Sequence, residues 1–198
     1  MADSFRRSDR ARHAVELDLD AWLPEPQVRT RHRRTAGVDA DRLWHAAQTV
    51  QICDAPRLGR VVRWRVPGTP GNLPFRELFR RYPFTVLDEG ERCSISGLCG
   101  RVWTFQRDYP RLAGPEEFLG WDEPGTVRVL FAHWVDGLDG GGSALVSESR
   151  VQPVDRRARL RMRALWTVVG RFERLIGGEA LRVAAQRAER DGAPYPRS

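Results

Sequence analysis

A histidine set in an otherwise apolar alternating run is the residue of this chain whose type and position most invite chemistry. Along Val127, Val129, Phe131, His133 and Val135 every second residue is apolar except one, and successive side chains of a strand point to opposite faces. On an inward face His133 would be a polar group in an apolar setting, able to orient a ligand or to move a proton. The plainer alternative is a core or rim histidine held by a hydrogen bond, because buried polar groups are usually satisfied. Glu148 shares an alternate face with Ala144, Val146 and Arg150. If a hairpin brings it beside the histidine strand, the two are candidates for a catalytic acid/base pair; an ion pair with Arg150 or across strands is the competing reading. Glu179 continues the spacing of Phe172 and Ile176 on the apolar face of a helix, but a shift at Gly177-Gly178 would turn Ala180 inward and leave Glu179 exposed, the reading preferred here.

Other chemistries find no residues to carry them. Cys53, Cys93 and Cys99 are an odd number at no metal-binding spacing and, with four scattered histidines, form no ligand cluster; they read as reduced, buried thiols, and neither metal nor cofactor is expected. Ser94 and Ser96 could face inward as hydrogen-bond donors but lack a Gly-X-Ser-X-Gly elbow, and Gly97-Leu98-Cys99-Gly100 has no phosphate-loop spacing. A net charge of +7 raises nucleic acid as a partner. All 33 basic side chains are arginine, however, interleaved with 26 acidic residues along the chain, and the one cluster, Arg29, Arg31, Arg33 and Arg34, alternates as a solvated strand face would. That pattern argues against nucleic acid.

These residues need elements to position them. Residues 1–26 read as a charged extension, either disordered or docked through Leu19, Trp22 and Leu23, and ending in Leu23-Pro24-Glu25-Pro26. Strands are predicted over Val28 to Ala36, Gly59 to Val66, Phe84 to Asp88, Arg92 to Leu98 and Arg101 to Gln106, with a short helix after the first that Asp39 caps. Thr126 to Val135 and Ser143 to Val151 form the clearest hairpin, joined by a loop whose glycines permit positive φ. From Arg156 to Arg190 the period changes: Ala158, Met162, Leu165, Val169, Phe172 and Ile176 make one face of a long amphipathic helix capped by Asp155. No run approaches the roughly 18 apolar residues of a membrane span, and the start of the chain is too charged for a signal peptide, so a cytoplasmic protein is expected.

Six or seven short strands bury a face only if something lies across it, and the last helix is the one element long enough. The order resembles the START-like helix-grip fold of the SRPBCC superfamily, which includes polyketide cyclase/dehydrase-like proteins and uncharacterised bacterial members. The resemblance covers about residues 27–190 and is carried by Gly37 to Trp44, Phe84 to Gly90, Ala144 to Val151 and Ala164-Leu165-Trp166 through Arg187-Ala188-Glu189. It implies an α+β domain over 27–192, followed by a tail over 193–198, in which a curved antiparallel sheet of six or seven strands wraps a long C-terminal helix and encloses an apolar cavity. No diagnostic catalytic motif accompanies it, and fold does not fix function.

Three functions are therefore weighed. The first is binding of a small hydrophobic molecule, lipid- or polyketide-like, without catalysis or with an activity not yet defined, in a pocket lined by Trp64, Trp103, Phe131, His133 and Phe172; Phe75 and Phe79 are further aromatic candidates. The second is a cyclase, aromatase or dehydratase using His133, and with it Glu148, as acid and base. The third is an arginine-rich surface for an acidic partner or nucleic acid. Oligomeric state is not readable from these residues.

Overall fold

The computed structural model describes residues 17–104, 109–176 and 178–191. The elements in order are α1 (Leu19–Trp22), β1 (Val28–Ala36), α2 (Ala40–Thr49), a 3-10 turn (Ile52–Asp54), α3 (Pro56–Arg65), α4 (Phe75–Leu78), β2 (Thr85–Gly90), β3 (Cys93–Gly100), α5 (Pro115–Leu119), β4 (Val127–Gly137), β5 (Ser143–Pro153), α6 (Arg156–Ile176) and α7 (Glu179–Arg190). One antiparallel sheet runs β1-β5-β4-β3-β2. The predicted hairpin is β4 and β5, paired without interruption from Val127↔Pro153 to Gly137↔Ser143, and its loop turns through Gly140 and Gly141 at φ of 97° and 92°, angles that a side chain disfavours.

The architecture is α+β and compatible with a helix-grip arrangement, with two departures from expectation. The described sheet has five strands. Arg101 to Thr104 form a turn, and the end of that predicted strand, residues 105–106, lies outside the described residues. Gly59 to Arg65 belong to α3, with Val66 as its C-cap, rather than to a strand. The alternation of Val62, Trp64 and Val66 imitates a strand, yet Leu58, Val61 and Val62 are also at helical spacing, and Pro56 at the first helical position favours a start there. Gly59 lets the new helix approach the preceding turn: a Cβ on it would lie 2.3 Å from the Ile52 carbonyl oxygen.

In place of one long C-terminal helix there are two, α6 and α7, and they cover different ground. On one face of the sheet, called here the cavity face, Leu145 and Val135 pack with Leu43 and Trp44 of α2, Phe75 of α4 and Leu181, Ala184 and Ala185 of α7. Farther along the same face Val129, Val151 and Leu98 pack against Met162 of α6. The back face has its own core, in which Ile95, Leu130, Ala132 and Val146 meet Leu19, Leu23, Leu112 and Phe118. Leu19 and Leu23 bring the chain from residue 17 onto this face, with Leu23 fully buried. Gly97 is required here because a Cβ would lie 2.6 Å from the Phe118 ring.

Candidate functional site

Strand register decides which side chains meet. His133 of β4 stands opposite Ser94 of β3 and Ser147 of β5, and Ser147 stands opposite His32 of β1. In an antiparallel pair directly opposed residues share a face, so these four form one row across four strands on the cavity face. The next row holds Ser96, Phe131, Ser149 and Thr30, and the Thr30 and Ser149 hydroxyls satisfy each other at 2.7 Å.

Above these rows lies a cavity of about 370 Å³. Its floor includes His133, Ser94 and Ser147, and its walls come from α2 (Trp44, Ala47), α3 (Leu58, Val62), α4 (Phe75, Leu78) and α7 (Ala180, Leu181, Ala184). Phe79, Phe84 and Phe131 pack mutually, with ring centroids 5.1 to 5.6 Å apart, and Phe79 also lies 4.7 Å from the His133 ring. The rim is polar: Arg76 donates to Gln48 at 2.8 Å and pairs with Glu89 at 3.6 Å, while Arg80 bonds the same carboxylate. The Arg80 hydrogen bond holds Glu89 below its ordinary carboxylate range.

Burial among these rings pulls the His133 pKa down to about 4, so the imidazole is neutral at physiological pH. The Trp44 ring lines the same cavity, and its indole N–H is buried without a hydrogen-bond partner among the described residues. A larger hollow of about 520 Å³ lies along α6, bordered by Asp155, Arg156, Arg159 and Arg163, with apolar contact confined to Val154 and Leu160.

The sequence-predicted residues separate. His133 and Phe131 line the cavity, and Phe75 and Phe79 join them. Trp64 does not: on α3 its side chain faces outward and is 64% exposed, because a helix turns it away from the side that Leu58 and Val62 present inward. Trp103 sits in the turn after β3, packed beside the α6 core with the Arg161 guanidinium over its ring, and it is not among the residues lining the cavity. The Phe172 side chain lies outside the described residues.

Glu148 is on the wrong face for a partnership with His133. Its register partner is Ala132, so it points to the back of the sheet, 1% exposed. There it accepts from Arg150 Nε at 2.7 Å and pairs with Arg29 at 2.8 Å, while Arg150 also reaches Asp20 and the Leu23 carbonyl beneath α1. The ion-pair reading of Glu148 describes this geometry, in a buried setting. Glu179 is buried, against expectation: its carboxylate accepts the Leu58 N–H at 2.8 Å, capping α3 from another helix. Cys93 and Cys99 are buried and Cys53 is exposed, a correction to the expectation of three buried thiols. Burial pushes the Cys99 thiol up to about 12, away from reactivity.

Sequence reasoning missed Trp44, Phe84, Ser147 and His32. For His32 a signal was present: the alternation that singled out Arg29, Arg31 and Arg33 leaves Thr30 and His32 on the other face of β1. Ser147 and Trp44 had none, since their roles depend on register and helix docking.

Among the described residues no group of three or more His, Cys, Asp or Glu side chains could hold a metal ion, and no helix is long and apolar enough to cross a membrane. The fold and cavity define an α+β protein with an antiparallel sheet closed over by separate helices. No family model matches the sequence, and no curated protein matches it. Solved structures align over most of the chain at low similarity. A hypothetical protein of Helicobacter pylori covers 88% of this chain and 96% of its own length, with 10% identity and a TM-score of 0.41. The Zhui aromatase/cyclase of Streptomyces sp. R1128 covers 84% and 96%, with 16% identity and a TM-score of 0.32. Norcoclaurine synthase of Thalictrum flavum covers 82% and 84%, with 13% identity and a TM-score of 0.29. Likeness at this level decides nothing about activity.

Proposed function

We propose that this chain binds a small, largely hydrophobic molecule, lipid- or polyketide-like in size, between the sheet and the helices α2, α3 and α7, without catalysis or with an activity not yet defined. The observation that carries the reading is the cavity of about 370 Å³, which falls in the range of roughly 300–1,000 Å³ usual for small-molecule sites. Its wall is aromatic and aliphatic, with few polar groups, as such sites require to gain burial and fix orientation together. Native mass spectrometry of the purified protein, before and after organic extraction, should release a bound apolar species. Substituting Val62→Phe to fill the space should abolish its retention while the protein still folds. Equal retention by the filled variant would remove the cavity from consideration.

A second reading is enzymatic, with His133 as acid/base in a cyclase-, aromatase- or dehydratase-like reaction. It is favoured by one observation: a neutral imidazole facing the cavity with no hydrogen-bond partner among the described residues. Glu148 takes no part in it, being on the other face. Given a substrate recovered from the first experiment, His133→Gln should then cut kcat by about 10²–10⁴ with little change in binding; unchanged turnover would leave the binding role alone.

A further inference from the structure

The floor of the cavity is not uniformly greasy. The outer rows of the cavity face are apolar, Val135 with Leu145 at one end and Leu98, Val129 and Val151 at the other. Between them run two rows that carry polar groups, Ser94, His133 and Ser147 on three adjacent strands and, next to it, Ser96, Phe131 and Ser149. In the neighbouring row the Thr30 and Ser149 hydroxyls satisfy each other and the Ser96 hydroxyl is buried without a partner among the described residues; Ser94, His133 and Ser147, with no hydrogen-bond partner among the described residues, line the cavity, where a ligand can reach them. These groups are open to the cavity, and a wholly apolar filling would strip them of water without replacing its hydrogen bonds, so a molecule that bonds to them is favoured there over one that does not. Strands stand about 4.8 Å apart, which places the three groups along a line of roughly 10 Å.

The charge around the row limits what that partner is. Arg76 is the one guanidinium among the described residues lining the cavity, and it is at the rim, engaged by Gln48 and Glu89. Among the described residues no arginine faces the floor; its histidines are His32, at the β1 end, and His133, which is neutral at physiological pH. A carboxylate or phosphate drawn onto the floor beside Ser94, His133 and Ser147 would be desolvated with no guanidinium to meet it.

Building on the cavity-binding reading, we infer that the ligand is a neutral ring compound that carries hydroxyl or carbonyl oxygens along one edge, about one strand spacing apart. That edge lies on Ser94, His133 and Ser147, and the apolar body rests against Phe79, Phe131 and the helices. The site thereby selects against free fatty acids and other anions, and against plain hydrocarbons.

Three probes that differ only in their polar groups test this at pH 7: naphthalene, 1,3-dihydroxynaphthalene and 2-naphthoate. Titrations follow probe fluorescence with the wild-type chain and with the double variant Ser94→Ala/Ser147→Ala. Two neutral hydrogen bonds should make the dihydroxy probe bind at least about tenfold tighter than naphthalene, with naphthoate weakest. The double variant should reduce that advantage to within about twofold while its affinity for naphthalene holds. Equal binding of naphthalene and the dihydroxy probe, tightest binding of naphthoate, or a double variant that keeps the full advantage would overturn the inference and leave the cavity reading intact. Failure of all three probes to bind would bring down the cavity reading and the inference with it.

Discussion

At the scale of the residue, two ionisable groups on opposite faces of the sheet behave oppositely, one lining the cavity and one buried at the back. His133 has a folded-state pKa of about 4 against an ordinary value near 6.5. Between these values the unfolded chain binds more protons than the folded one, so stability falls as pH drops from about 6.5 to about 4 and levels off below. Denaturant titrations at pH 7 and pH 4.5 should show this loss in the wild type, on the order of 1–3 kcal/mol, and a smaller one in His133→Gln. An equal loss in both would mean that the imidazole is solvated in the folded chain. Glu148, by contrast, is buried with its charge met by Arg150 and Arg29. Removing it by Glu148→Ala leaves the buried Arg150 guanidinium with only the exposed Asp20 carboxylate and the Leu23 carbonyl, and a destabilisation of up to about 3–5 kcal/mol is expected in the same titrations. Replacing Glu148 and Arg150 together by Leu and Met should cost much less, because no uncompensated charge then remains.

At the scale of the element, helices are held by groups from distant sequence. The 10-residue α3 has Ala55 at its N-cap and no side-chain cap of its own; Glu179, the first residue of α7, supplies one through the Leu58 N–H. Glu179→Ala should therefore loosen α3 as well as α7, at about 0.5–2 kcal/mol. Amide hydrogen exchange should rise at the first turn of α3, and Glu179→Gln, which keeps an acceptor, should restore most of the protection. Exchange confined to α7 would refute the trans-cap. On the back face Leu23 is fully buried and α1 covers the Glu148–Arg150 pair. Leu23→Ala should lower stability by about 2–5 kcal/mol, a cost that a merely appended N-terminal extension would not show.

At the scale of the whole molecule, the cavity interrupts a core that would otherwise be continuous between the α7 and α6 portions of one sheet face. A ligand filling it binds only the folded state, so thermal stability should climb with ligand concentration, by about 2.7 kcal/mol at a hundredfold excess over Kd. Val62→Phe should be insensitive to added ligand. A ligand-dependent rise that persisted in the filled variant would locate binding elsewhere, with the arginine-bordered groove along α6 the next place to look.

The sequence by itself determined what is encoded locally. Period-two alternation assigned His133 and Phe131 to one face of β4, the Asp39 and Asp155 caps appeared where they were expected, with Arg42 and Ala158 N–H donating to them at 2.9 and 2.6 Å, and the glycine loop marked the hairpin. Tertiary structure decided the rest, because it depends on pairings between distant segments. Residues 56–65 carry a pattern that fits either period, and helix won with a cap from 121 residues away. Trp64 turned outward as a result. Glu148 and His133 are each on a legible alternate face, but only the register of β4 on β5 shows that those faces are opposite, since a shift of one residue exchanges them. That register and the register of β3 on β4 together align Ser94, His133 and Ser147. Each lies in a different strand, and no local pattern in any one of them announces the row they form together.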